Sequence, residues 1–110
     1  MKGYQITYFT QQNHLHKHKP LAEWLMLAAR DLGLRGATVS CASEGFGHHG
    51  RIHSAHSFEQ ADQPQEVVMV VTEEETGRLF DLLKTENVHL FYVKTSVEFG
   101  MLGEADEPGG

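Results

Sequence analysis

The densest group of chemically capable residues lies between Gly36 and His56, GATVSCASEGFGHHGRIHSAH. Gly45, Gly47 and Gly50 are interleaved there with His48, His49, His53, His56 and Arg51. Glycine lets a ligand come close to the backbone, and successive amides in such turns can converge on an anion. Arg51 carries a permanent, fork-shaped cation suited to a phosphate or a carboxylate. His49 and His53 add donors, and Phe46 can pack under the loop or against a base. The same residues would also serve a plain crossover between two strands, because a single glycine-rich loop is a weak signal.

A second histidine group, His14, His16 and His18, alternates with Leu15 and Lys17. Imidazole suits zinc, copper or nickel, and an oligomer could bring the two histidine groups together across an interface. His49 and His53 are the candidate ligands of this metal-binding alternative. Against it, Cys41 stands on an alternating strand rather than in a CxxC pair, as a structural zinc site would want. Without metal the histidines are solvated loop residues, with one or two hydrogen-bonded to backbone. Glu44, His53, Ser54 and Glu59 include acid–base types, but no nucleophile–base–orienter spacing joins them. Cys41 reads as core, so the chain is read as a non-enzyme.

The elements that must hold these loops follow from periodicity. Residues 2–10 alternate, with Tyr4, Ile6 and Tyr8 on one side, and predict a strand. Residues 11–19 have no apolar period and predict an exposed loop. Pro20 fits the first helical position, Leu21, Trp24, Leu25, Ala28 and Leu32 recur at helical spacing, and Gly33 is a stop signal. A strand over 37–43 precedes the glycine loop, and a polar connector over 57–65 follows it. The VVMVV run within Glu66–Thr72 predicts a strand covered on both faces, or covered on one and used in an interface on the other. Thr72 with Glu75 makes a capping box for a second helix bearing Leu79, Phe80, Leu82 and Leu83, with Gly77 inside it. Val88–Thr95 predicts the last strand, and SVEFGMLG an extended or turn segment. The order β-α-β-β-α-β is that of a ferredoxin-like α+β sandwich, an antiparallel sheet with two helices on one face. The uncovered face predicts a homo-oligomer.

Size and composition set the outer limits. The 110 residues suit one domain, taken as residues 1–103, with 104–110 an acidic, disordered tail. A net charge of −6 lacks the basic signature of a nucleic-acid binder. The single cysteine excludes an internal disulfide, and no signal-like start or bilayer-length apolar run is present, so the expectation is a cytoplasmic protein.

Thr38-Val39 followed by Glu44-Gly45-Phe46-Gly47 resembles the entry to the T-loop of PII signal-transduction proteins. Together with KPLAEWL, LGLRGATV, HSAHSFE, ADQPQEVVMVV and FYVKTSVEFGMLG, residues 1–103 resemble the PII-like family catalogued as domain of unknown function 190. The resemblance implies a ferredoxin-like fold, a homotrimer and a small adenine nucleotide bound in clefts between subunits. It also implies a signalling role toward a membrane transporter or channel, since members are often encoded beside CrcB-type fluoride channels. The positions carried over are Gly36, Thr38, Gly45, Phe46 and Gly47. The Thr-Gly and Gly-Asp-Gly-Lys phosphate turn of PII proteins has no counterpart, and no tyrosine lies between 45 and 65. The resemblance therefore favours AMP or ADP over a PII-type ATP site, with Arg51 or Lys94 meeting the phosphate and His53 beside it. The alternative class is a CutA-like trimer that binds divalent metal through His49 and His53.

Overall fold

In the computed structural model, residues 1–41, 44–46, 52–54 and 63–103 are described. The first strand, β1 (Lys2–Gln11), runs into a two-residue hairpin, β2 (Leu15–His16) and β3 (Lys19–Pro20). Then come α1 (Leu21–Asp31), β4 (Ala37–Cys41), the short pair β5 (Glu44–Phe46) and β6 (Ile52–Ser54), β7 (Pro64–Thr72), α2 (Glu73–Thr85) and β8 (Phe91–Glu98). The main sheet is ordered β4-β7-β1-β8 with every neighbour antiparallel. Each βαβ unit thus straddles a strand of the other, which is the ferredoxin-like arrangement that the element order predicts.

Period-two alternation decides which side of the sheet is dry. Ile6 and Tyr8 of β1 and Val67, Met69 and Val71 of β7 point to one face and are buried. Leu21, Leu25 and Ala29 of α1 and Leu79 and Leu83 of α2 cover them in a single core cluster. Each large aliphatic side chain removed from water here contributes about 1.5–3 kcal/mol before the cost of ordering it. The VVMVV strand resolves into that alternation: Val67, Met69 and Val71 are buried, whereas Val68 and Val70 on the other face are half-buried. Phe9, Phe91 and Val93 share that second face with them, among Gln5, Thr7, Glu66 and Thr95, and Phe91 keeps 67% of its surface in water.

Both helices stop the same way. Gly33 at φ 75° and Asn87 at φ 58° take the left-handed conformation just past the helix ends. Leu34 N–H then donates to Ala29 C=O and Val88 N–H to Leu83 C=O, each at 2.9 Å. These are Schellman closures. The second moves the start of β8 to Phe91 rather than Val88, because Val88 N–H is spent on the helix and Val88 and Leu90 pack against the core. α2 begins with the expected capping box: Glu75 N–H donates to Thr72 Oγ1 at 3.1 Å, and Thr72 N–H to Glu75 Oε1 at 2.8 Å. Pro20 is the N-cap of α1 and lies outside its first turn. Residues 11–19, expected as plain loop, carry the β2–β3 hairpin.

Candidate functional site

One end of the sheet gathers the parts of the candidate site. There β1 ends, β4 ends, β7 begins and β8 begins, with Gln11 paired to Pro64, Cys41 to Gln65 and Phe9 to Phe91. Gln12 N–H donates to Gln63 C=O at 3.0 Å, tying the end of β1 to the residue that precedes β7. Within the loop, β5 and β6 pair antiparallel, which sets Gly45 opposite His53 and Phe46 opposite Ile52. Three expected site residues, Gly45, Phe46 and His53, are therefore neighbours in register. Gly47, His49 and Arg51 lie outside the described residues.

The other three stand apart. Gly36 precedes β4 and Thr38 pairs with Val68 on its exposed side, three residues before the loop end, or about 10 Å. Lys94 is opposite Ile6 in mid-sheet, and its ammonium sits 4.4 Å from the centre of the Tyr4 ring. That cation–π contact holds it on the helix-facing side, five residues along β1 from Gln11, roughly 17 Å.

Several polar groups at the loop end were not singled out from the sequence. The side-chain oxygens of Gln12 and Gln65 and the Tyr8 hydroxyl are buried without a hydrogen-bond partner among the described residues. A shielded polar atom left unpaired costs about 1–3 kcal/mol. Thr10, opposite Gln65, is buried, and its Oγ1 lies 3.3 Å from His14 Nδ1. Burial, reinforced by neighbouring Tyr92, raises the Tyr8 hydroxyl well above the usual phenol range, so it keeps its proton and is no base. The available signal was parity: Thr10, Gln12 and Gln65 are polar residues at positions in step with Ile6, Tyr8 and Val67.

The β2–β3 hairpin supplies a further cluster. His16 Nε2 and Lys17 Nζ both meet Glu86 Oε1, at 3.0 and 2.9 Å. Glu86 is the C-cap of α2 and is oriented by the Schellman closure just described. Lys17 first, then His16, holds the Glu86 carboxyl below its usual range. The His16 ring also meets Trp24 of α1 edge-on, with centroids 4.6 Å apart. His14 and His16 thus have separate partners, and no group of three or more metal-ligating side chains occurs among the described residues. The side chains of His48, His49, His53 and His56 are outside that statement.

At the opposite end of the sheet, a cleft of about 380 Å³ is lined by Lys2, Gly3, Tyr4, Glu73, Ser96, Val97 and Glu98. Two carboxylates there face one ammonium, a poor setting for a phosphate. Among the described residues no helix is long and apolar enough to cross a membrane.

Comparison with known proteins agrees with the geometry. A UPF0166 protein of Aquifex aeolicus is 29% identical over 94 residues, covering 77% of this chain and 90% of that protein. The structure of CPII, a nitrogen regulatory PII-like protein of Thiomonas intermedia K12 bound to ADP, AMP and bicarbonate, superposes with a TM-score of 0.65. It shares 20% identity, and the match covers 92% of this chain and 91% of CPII. A PII-like signalling protein of Thermus thermophilus gives a TM-score of 0.60 at 19% identity, covering 88% of this chain and 86% of that one. The model of the family DUF190, described as an uncharacterized ACR, matches residues 3–98. The chain belongs to the DUF190 family and has the PII-like form of the ferredoxin-like fold.

Proposed function

We propose that this protein is a non-catalytic, PII-like regulator that binds AMP or ADP at the root of its glycine–histidine loop. The carrying observation is the pairing of Gly45 and Phe46 with Ile52 and His53, which builds a small backbone platform beyond the end of the sheet. Gly47 and Arg51, next along the loop on either side of the pair, are assigned to backbone approach and to the phosphate, and His53 to a neighbouring donor. That a protein of the same fold has been solved with ADP and AMP supports the class of ligand.

The site is completed by other copies of the chain. Phe9 and Phe91 touch at 5.5 Å between ring centres on the open face, beside Val68, Val70 and Val93. Burying that face against like faces in a homotrimer would remove these apolar side chains from water. The loop then acts as the reporter: nucleotide binding favours one loop arrangement, which a membrane transporter or channel, such as a CrcB-type fluoride channel, recognises. Switching requires that the ligand bind one arrangement more tightly than the other.

Isothermal titration of metal-stripped protein with AMP, ADP and ATP tests this reading. Micromolar binding of AMP or ADP, lost on Gly47→Val and on Arg51→Ala, is expected. Failure of every adenine nucleotide to bind, with zinc binding that disappears in His49→Ala/His53→Ala, would overturn it in favour of a metal-binding trimer.

A further inference from the structure

The β2–β3 hairpin presents two cationic or donor side chains to a single oxygen atom. Lys17 Nζ and His16 Nε2 converge on Glu86 Oε1 at 2.9 and 3.0 Å. Two donors aimed at one anionic oxygen describe a position that a phosphate oxygen would fill equally well, since both acceptors take short charge-assisted bonds. We infer that the hairpin is an anion subsite for a phosphate monoester, and that Glu86 is its internal occupant, displaced when the phosphate arrives. The assignment of that phosphate to a nucleotide rests on the function proposed above.

Three observations support the inference. The hairpin turn is held by Lys17 at φ 52° and His18 at φ 68°. Consecutive left-handed residues match a type I′ hairpin, but that turn strongly favours Asn-Gly, so lysine and histidine are kept there against local preference. Such strain is a reason to look for a role in the side chains. Second, the site is open on the side a ligand would use: Lys17 keeps 64% of its side chain in water, whereas His16 and Glu86 keep 18% and 20%. His16 is fixed by its contact with Trp24, so one donor is preorganised and the other can move. Third, β3 leads directly into α1, whose N-cap Pro20 supplies no side-chain cap, although His14 C=O accepts from Leu21 N–H at 2.7 Å. The helix therefore adds positive potential beside the hairpin, without itself defining the site.

The segment between α2 and β8 is Glu86-Asn87-Val88-His89-Leu90. The clasp reaches across from the hairpin to the first residue of that segment. Exchange of Glu86 for a phosphate would free the segment from the hairpin, so occupancy would be felt where β8 begins.

The test uses the full chain and two probes, inorganic phosphate and the pair AMP and adenosine. Glu86→Gln keeps the side chain's size and an acceptor oxygen but removes the competing charge. In this variant, inorganic phosphate is expected to shift the His16 ring and Lys17 ammonium resonances in 1H–15N spectra, and to do so more weakly in wild type. Lys17→Met in the Glu86→Gln background is expected to abolish the response. For nucleotides, Lys17→Met and His16→Gln should each weaken AMP binding about tenfold and leave adenosine unchanged, the loss expected for one charge-assisted bond. Glu86→Gln should tighten AMP alone. Thermal melts confirm that the variants fold. Absence of any phosphate response in Glu86→Gln, or an AMP-to-adenosine affinity ratio that none of the three variants alters, would overturn the subsite. If phosphate binds as expected but neither AMP nor adenosine does, the subsite stands and the nucleotide reading fails.

Discussion

The two ends of the sheet are built on opposite principles. At the end away from the loop, the chain start and the helix ends are tied. The Met1 nitrogen donates to Phe99 C=O at 2.7 Å, and Phe99 N–H returns a bond to Met1 C=O at 2.8 Å. Arg35 lies over the Phe99 ring and contacts Met1 Sδ. Arg78 donates to Leu32 C=O at 2.7 Å, closing the last turn of α1, while the capping box closes the first turn of α2. At the loop end there are unpaired buried oxygens on Gln12 and Gln65, left-handed lysine and histidine, and a carboxylate shared by two donors. One end is optimised for stability. The other retains unsatisfied chemistry of the kind that ligand sites carry, at a cost in stability.

Substitutions at the two ends should therefore separate stability from binding. The largest effect is expected at Gly3, where an added Cβ would lie 2.1 Å from the Val71 carbonyl oxygen and 3.0 Å from the Phe99 ring. Gly3→Ala must push backbone apart in the β1–β7 pair and should cost about 3 kcal/mol in urea unfolding. Next, Thr72→Ala removes the side-chain acceptor of the capping box and should cost about 1 kcal/mol, with nucleotide affinity unchanged. A Thr72→Ala variant as stable as wild type would show that the tied end is not where stability resides.

In the loop half the sign reverses. Tyr8→Phe removes an unpaired buried hydroxyl and should leave stability unchanged or raise it by up to about 1 kcal/mol. A loss of more than that would mean the hydroxyl is paired in solution. The smallest effect concerns acid. Because Lys17 and His16 hold the Glu86 carboxyl below its usual range in the folded protein, the clasp stabilises above the unfolded value. That contribution disappears as pH falls through the depressed folded value. Glu86→Gln should accordingly show a shallower fall in melting temperature on the acid side of the ordinary carboxylate range, and match wild type more closely once both are acidified.

The strongly periodic elements were legible because their residues answer to one local rule. Tyr4, Ile6 and Tyr8 alternate, Leu21 to Leu32 recur with helical spacing, and Thr72 with Glu75 makes a cap that needs only three residues of separation. Even the open apolar face could be anticipated from the valines at 68 and 70. The hairpin at 15–20 could not, because its support lies 70 residues away at Glu86 and no short window contains both. The start of β8 was displaced for a related reason: Asn87 closes the helix before the extended run begins.

At the candidate site, strand register decides which of the expected residues are neighbours. Gly45, Phe46 and His53 come together because a hairpin register joins them. Lys94, expected as the alternative to Arg51 at the phosphate, stands over the Tyr4 ring. Gln12 and Gln65 fall in segments that read as a polar loop and a polar connector, although their parity puts them in step with the core. A polar side chain at a core-parity position next to a glycine loop is a signal worth reading.

The most direct test of the central claim is a 1H–15N map of backbone shifts on titrating AMP into the full chain. Changes confined to the loop end are expected, at Gly45, Phe46, His53, Gln12, Gln65 and the 86–91 segment, with Gly3, Thr72 and Phe99 silent. Changes centred instead on Lys2, Gly3 and Ser96 to Glu98, or none at saturating AMP, would contradict it.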